Sequence, residues 1–294
     1  DKILKKKFYR LNDTLNNLSL GIMQQVIGLF IQVMLFGWYL FLFENYSIQK
    51  LFNGPEIPDS WIWWIVCFFL VDLLYYWYHR LSHEMGFLWA SHVVHHQSEE
   101  YNLAVALRQG TFQVFFTFFF FIPIAFFGFP TDMFVTCYVI GIIYQFWIHT
   151  EAIDRMGPFE WIFNTPSHHR VHHATNPKYL DSNYAGVLII WDRLFGTFVP
   201  EDKADDPGAE QINYGIVSNL GTFNPIRIAF HEWVGIVRDL ISARSIGEVF
   251  GYLFGPPGWS PDGSRKTSKS LKAEWRERKQ QNEQKRTAQE VAAE

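Results

Sequence analysis

The sequence predicts an all-α integral membrane protein with about four transmembrane helices and a cytoplasmic helical cap carrying a histidine-rich dimetal site. Three observations predict it. Long apolar stretches run without charge, Phe, Trp and Tyr are used heavily (29, 12 and 13 of 294 residues), and ten of the eleven histidines fall between His79 and His173.

The first stretch, Leu15 to Phe43, carries no charged residue and exceeds the roughly 20 residues a helix needs to cross a bilayer. The second, Ser60 to Tyr78, is interrupted only by Asp72. The third, Gln109 to Pro130, contains Pro123, and the fourth, Met133 to Ile148, is somewhat short. Gly128, Pro130 and Asp132 supply turn chemistry between them, so the third and fourth stretches read as a helical hairpin. Pro225 to Phe254 is amphipathic, in the manner of a membrane-surface helix. The last segment, from Ser264 on, is polar and reads as a solvated helix or a disordered arm. The expected organisation is a membrane-embedded unit over 1–200, an interfacial extension over 201–263 and a charged tail over 264–294.

Charge sets the orientation. The opening DKILKKKFYR is rich in Lys and Arg and belongs on the cytoplasmic side, whereas Glu44 to Asp59 holds one lysine among three acids. Four spans then bring His79, His149 and the remaining histidine clusters to the cytoplasmic face of one membrane, a bacterial inner membrane or a eukaryotic endoplasmic reticulum. A net charge of -4 argues against a nucleic-acid partner. Only Cys67 and Cys137 are present, both in apolar runs, which excludes a disulfide framework and cysteine-based zinc ligation.

The histidines come as HxxxH (His79, His83), HxxHH (His92, His95, His96) and a second HxxHH (His169, His172, His173) directly after His168. Positions i, i+3 and i+4 share a helix face, so three helices can each aim two or three imidazoles at one place. Eight such ligands are too many for one ion and suit two. His149 closes the fourth stretch beside the boxes and is a ninth candidate ligand. A lone histidine is usually a hydrogen-bonded core residue, and His231, outside the boxes, reads that way. Imidazole alone leaves zinc, copper, iron and nickel open. His83-Glu84 begins like a zincin motif, but Phe87 stands where the second histidine should be.

Two carboxylates are candidate catalytic groups. Asp72 lies inside a span, where an ionisable side chain is costly and marks either function or a hydrogen bond between helices. Glu84 follows His83 and would orient a ligand or assist proton transfer. Asp181, Asn183 and Asp192 are candidate supports for the histidines.

At the boxes, and in the stretches RLNDTLNNLSLG, YYWYHRLSHEMGFLWASHVVHHQSEEYNLAVALRQG, QFWIHTEAI, NTPSHHRVHHATN and NYAGVLIIWDRLFGTF, the chain resembles the fatty acid hydroxylase (sterol desaturase) superfamily. Within it, the ether-lipid-cleaving branch is most similar. The resemblance implies a non-haem oxygenase with two Fe ions, in a site that also accepts zinc, held by the eight box histidines and assisted by Glu84. It implies a membrane lipid substrate, molecular oxygen and an external electron donor, with tetrahydrobiopterin serving the ether-lipid enzymes. Fatty-acyl, sterol or other lipid hydroxylation or desaturation is the alternative. A metal carrier or a zinc hydrolase are the readings outside oxygenase chemistry.

Overall fold

The structure, a computed structural model, describes residues 8–203, 206 and 209–293. The lysines of residues 1–7, on which the orientation argument leans, lie outside the described residues. Every element among the described residues is helical; strand geometry is confined to two isolated bridges, Phe163 with Leu188 and Ala174 with Tyr214.

Helix α1 (Leu11–Tyr46) runs 36 residues and ends where Ser47 turns extended; α2 (Ile48–Phe52) follows and stops at Asn53 in the left-handed region. Helix α3 (Trp61–Glu84) is the second long apolar helix. Among the described residues, the stretch from α1 through α2 and the helix α3 are the two segments long and apolar enough to cross a membrane. Their apolar side chains face outward: Ile22, Val26, Phe30, Val33 and Met34 on α1 and Trp61, Ile62 and Ile65 on α3 are exposed. A soluble protein would bury such a surface, and lipid is the solvent that suits it.

The expected hairpin forms as α6 (Gln113–Phe126) and α7 (Thr131–Trp147), joined at Gly128, whose φ of +79° an L side chain would strain. At 14 and 17 residues they rise only about 21 and 26 Å, less than the roughly 30 Å of a hydrocarbon core. Two helices rather than four therefore have full spanning length. Helix α1 packs on α6, and α3 packs on α6 and α7, around Tyr39, Cys67, Val71, Phe121, Ile124 and Phe134. Both cysteines are buried and free.

Short helices form the end that carries the histidines. They are α4 (Gly86–His96), α5 (Leu103–Ala106), α8 (Pro166–His172, with proline at its first position) and α9 (Ile190–Phe195, ended by left-handed Gly196). Helices α10 (Pro225–Ser242) and α11 (Ile246–Phe254) pack on α4, and Gly86 donates its N–H to the Gly255 carbonyl at 2.9 Å. The charged tail is helical, as α12 (Ser268–Ala293), and largely exposed.

Candidate metal centre

Three helices and a residue just after the end of α7 converge. Helix α3 delivers His79 and His83 in its last turns, α4 delivers His92, His95 and His96, α8 delivers His169 and His172 with His173 at its C-cap, and His149 follows α7. A Cβ on Gly110 would collide with the Ser91 carbonyl, so glycine there lets the segment after α5 lie directly on α4.

The nine histidines form two groups. His79, His83, His92, His96 and His172 make one; His95, His149, His169 and His173 make the other. Within each group the offered ring nitrogens lie within 4.8 Å of one another, and every ring is buried. Two ligands on opposite sides of one ion stand roughly 4 Å apart, twice a ~2.1 Å metal–nitrogen bond. The groups adjoin, with the rings of His96 and His173 stacked at 4.3 Å.

The outward nitrogens are fixed by carbonyls, which only accept. His79 Nδ1 meets Tyr184 O at 2.7 Å, His95 Nδ1 meets Arg108 O at 2.9 Å, His149 Nδ1 meets Gln145 O at 2.7 Å, and His172 Nδ1 meets Ser182 O at 3.0 Å. Each of these Nδ1 atoms must carry the proton, which leaves the Nε2 lone pair pointing inward. His95 Nε2 and His149 Nε2 then face each other at 3.2 Å, although neither has a proton to share. Burial holds His95 at about 4 and pushes His149, His96, His169 and His173 well below the ordinary histidine value, so a proton does not bridge them at neutral pH. The Nε2 atoms of His83, His172 and His173 are buried without a hydrogen-bond partner. Neutral, pre-oriented imidazoles with inward lone pairs fit metal cations.

A buried polar frame carries the carbonyls. Arg108, 2% exposed, donates to Val94 O at 2.6 Å, Asn16 Oδ1 at 2.9 Å, Asn17 Oδ1 at 2.8 Å and Gln97 Oε1 at 2.9 Å, while its own carbonyl takes His95. Asn17 and Ser98 both donate to Asp13 Oδ2. Burial lowers the Arg108 guanidinium to about 10, so it stays charged. No role was read for this frame in the sequence. Its signal is there, in polar residues at 13, 16, 17 and 24 along one face of an otherwise apolar helix.

The carboxylates fall outside the histidine groups. Asp72 accepts from Val187 N at 2.9 Å, Leu188 N at 3.0 Å and Trp191 Nε1 at 2.9 Å, which ties α3 to the segment leading into α9. Glu84 accepts from Arg80 Nε at 2.9 Å and is partly exposed. Asp192 is fully buried and accepts from Tyr184 N, Ala185 N and Thr197 Oγ1, and burial raises its carboxyl to about 6. Asp192 thereby sets the Tyr184 peptide whose carbonyl holds His79. Asn183 binds His168 O and Val199 on both its amide atoms. Asp181 Oδ1 lies 3.6 Å from His83 Nδ1. His168 sits outside both groups, edge-on to Phe198, and His231 bonds Ile228 O on its own helix.

Two cavities reach the groups through different histidines. One, of about 530 Å³, lies between α1, α6 and α7 and ends on His79, His92, His95, His149 and His169. Among the described residues no Asp, Glu, Lys or Arg lines it; its polar lining beyond the histidines is Gln24, Gln25, Gln32, Gln109, Gln113, Gln145, Thr117 and two tyrosines. The second, of about 400 Å³, lies under α10 and the start of α12 and ends on His83, His96, His172 and His173.

Residues 64–197 match the Fatty acid hydroxylase family model, an interval that includes all nine histidines. Alkylglycerol monooxygenase of Xenopus tropicalis is 42% identical over 253 residues, covering 86% of this chain and 54% of the relative. The human alkylglycerol monooxygenase is 41% identical with the same coverage. An ornithine lipid hydroxylase of Rhizobium tropici is 30% identical over 160 residues, 51% of this chain and 47% of its own. The chain thus spans about half the length of the curated relatives it matches. No solved structure matches.

Proposed function

Because this chain belongs to the fatty acid hydroxylase family, we propose that it is a membrane-bound, oxygen-dependent lipid monooxygenase whose nine buried histidines hold two iron ions. Its substrate is an ether lipid of the alkylglycerol type. The observation that carries the reading is the uncharged cavity, which joins the lipid-exposed surfaces of α1 and α7 to five of the histidines. Bound iron would supply the activation of dioxygen, which no side chain here performs by itself.

The protein's own residues do the rest. Leu18, Ile22, Val26, Ile142 and Phe146 admit an alkyl chain from the bilayer, while Gln109, Gln113 and Gln145 offer amide groups to an uncharged polyol head. The Oε1 atoms of Gln109 and Gln113 are buried without partners, as acceptors awaiting hydroxyl donors would be. Apolar walls exclude water from the reacting C–H bond. Asp72 and Glu84 act by position. Asp72 anchors the segment after Tyr184, and Glu84 begins the polar series Glu84, Arg80, Tyr76, Thr197, Asp192 that ends on the peptide holding His79. Four membrane crossings, with α6 and α7 as a shortened hairpin and the histidine end on the cytoplasmic side, complete the reading, and an external donor such as tetrahydrobiopterin supplies the electrons.

The test is to load the purified chain with Fe(II) without oxygen, then supply oxygen, tetrahydrobiopterin and a 1-O-alkylglycerol. Fatty aldehyde that requires both oxygen and iron is the expected product. Turnover without oxygen, or with zinc alone, would replace the oxygenase by a hydrolase.

A further inference from the structure

We propose that the second cavity is the docking site of a small, water-soluble, uncharged reductant, separate from the lipid site and meeting it only at the histidines. The inference rests on the oxygenase reading. Its basis is a division of the nine ligand candidates. The lipid-side cavity touches His79, His92, His95, His149 and His169, and the second touches the other four, His83, His96, His172 and His173. Each histidine group therefore faces both cavities, and each cavity reaches both groups.

The chemistry of the two walls differs. The lipid side carries no charge, whereas the second cavity is lined by Asp181, Glu232, His231 and Lys266, with Trp89 beside the rings of His83 and His96. Lys266 pairs with Glu274 at 2.7 Å, Asp181 lies 3.6 Å from His83 Nδ1 and Glu232 lies 3.8 Å from His231 Nε2, so the lining carries two carboxylates against one ammonium. Such a wall repels the phosphates of a nicotinamide or flavin nucleotide and the anion of ascorbate, and accepts N–H donors. Its volume of about 400 Å³ suits a small molecule rather than a redox protein. The unpartnered, buried Nε2 atoms of His83, His172 and His173 belong to histidines that line it. Elements beyond the family interval of 64–197 build much of the wall, namely the 215–220 segment, α10 and the approach to α12.

The stoichiometry is R–H + O2 + DH2 giving R–OH + D + H2O. One oxygen atom enters the C–H bond, the other leaves as water, and the donor DH2 loses two electrons and two protons. A donor held in a cavity that shares no lining residue with the lipid cavity can deliver these without displacing the substrate.

The test uses the full chain in detergent micelles, iron-loaded and with metal quantified. Tetrahydrobiopterin binding is followed without oxygen by tryptophan fluorescence, and KM is measured for donor and alkylglycerol separately. The variants are Ser218→Trp, which fills the exposed mouth, and Glu232→Gln, which removes an acceptor charge. Both should weaken donor binding and raise its KM roughly tenfold while metal content and lipid KM stay unchanged, the scale of losing one charged hydrogen bond. Single turnover driven by dithionite should survive in both. Failure of the wild-type chain to bind tetrahydrobiopterin, unchanged donor KM in both variants, or a rise in lipid KM instead, overturns the proposal. Absence of dithionite-driven lipid oxidation in the wild type overturns the oxygenase reading itself, and this inference with it.

Discussion

His95 and His149 face each other through Nε2 atoms 3.2 Å apart while the Nδ1 of each donates to a backbone carbonyl. Two neutral rings so arranged repel through their lone pairs, and burial denies them a shared proton. The arrangement becomes favourable once a cation lies among them. A cation that binds only the folded chain stabilises it by RT ln(1 + [L]/Kd), about 4 kcal/mol at a thousandfold excess over Kd. Chelation should therefore lower the unfolding temperature by several degrees, and Fe(II) or Zn(II) should restore it. An unfolding temperature indifferent to chelator and metal would remove the metal from the account.

Arg108 is the keystone of the frame behind His95. Arg108→Met would leave Asn16, Asn17, Gln97 and the Val94 carbonyl without their donor in a buried setting, at a cost of about 3 kcal/mol or more. Arg108→Lys keeps the charge but cannot serve four acceptors in one plane, and should fall between. Thermal unfolding and metal content check this; wild-type stability in Arg108→Met would contradict it.

Asp72 separates a clamp from a catalytic group. Asp72→Ala strips the acceptor from two peptide N–H groups and an indole, and should cost roughly 2–4 kcal/mol. Asp72→Asn keeps one acceptor oxygen, so stability and turnover should recover together. Lost turnover in Asp72→Asn at full metal content and unchanged stability would make the carboxylate itself part of the chemistry.

Glu84 pairs with Arg80 at the partly exposed edge of α3, where such a pair is worth at most about 1 kcal/mol. Glu84→Gln should leave metal content intact and lower turnover less than about threefold, within what that energy allows. A hundredfold loss would assign Glu84 a direct part in proton transfer.

The convergence of the box histidines was legible because helical spacing is local, but their division into two groups, which splits both HxxHH boxes, was not. His149 was legible as the end of an apolar run beside those boxes. The pairing of His95 with His149 and of His79 with His172 was not, since it depends on how α3, α4, α7 and α8 meet. The role of Asp72 was half legible. Its cost inside a span announced importance, but its partners are two peptide N–H groups and the Trp191 indole, all more than a hundred residues away, which no local pattern marks. The polar face carrying Asn16 and Asn17 was marked in the sequence, but its partner Arg108 was not, because the two meet only through the packing of α1 on the segment after α5. The turn at Gly128 that separates α6 from α7 was legible, whereas the start of α6 at Gln113 and the end of α7 at Trp147 are set by packing, which an apolar run does not record.

Counting iron per chain after anaerobic loading, for the wild type and for His149→Ala, tests the central claim most directly. The account predicts about two ions in the wild type and about one in the variant, because His149 serves only the four-histidine group. One ion or none in the wild type, or two retained in His149→Ala, would contradict it.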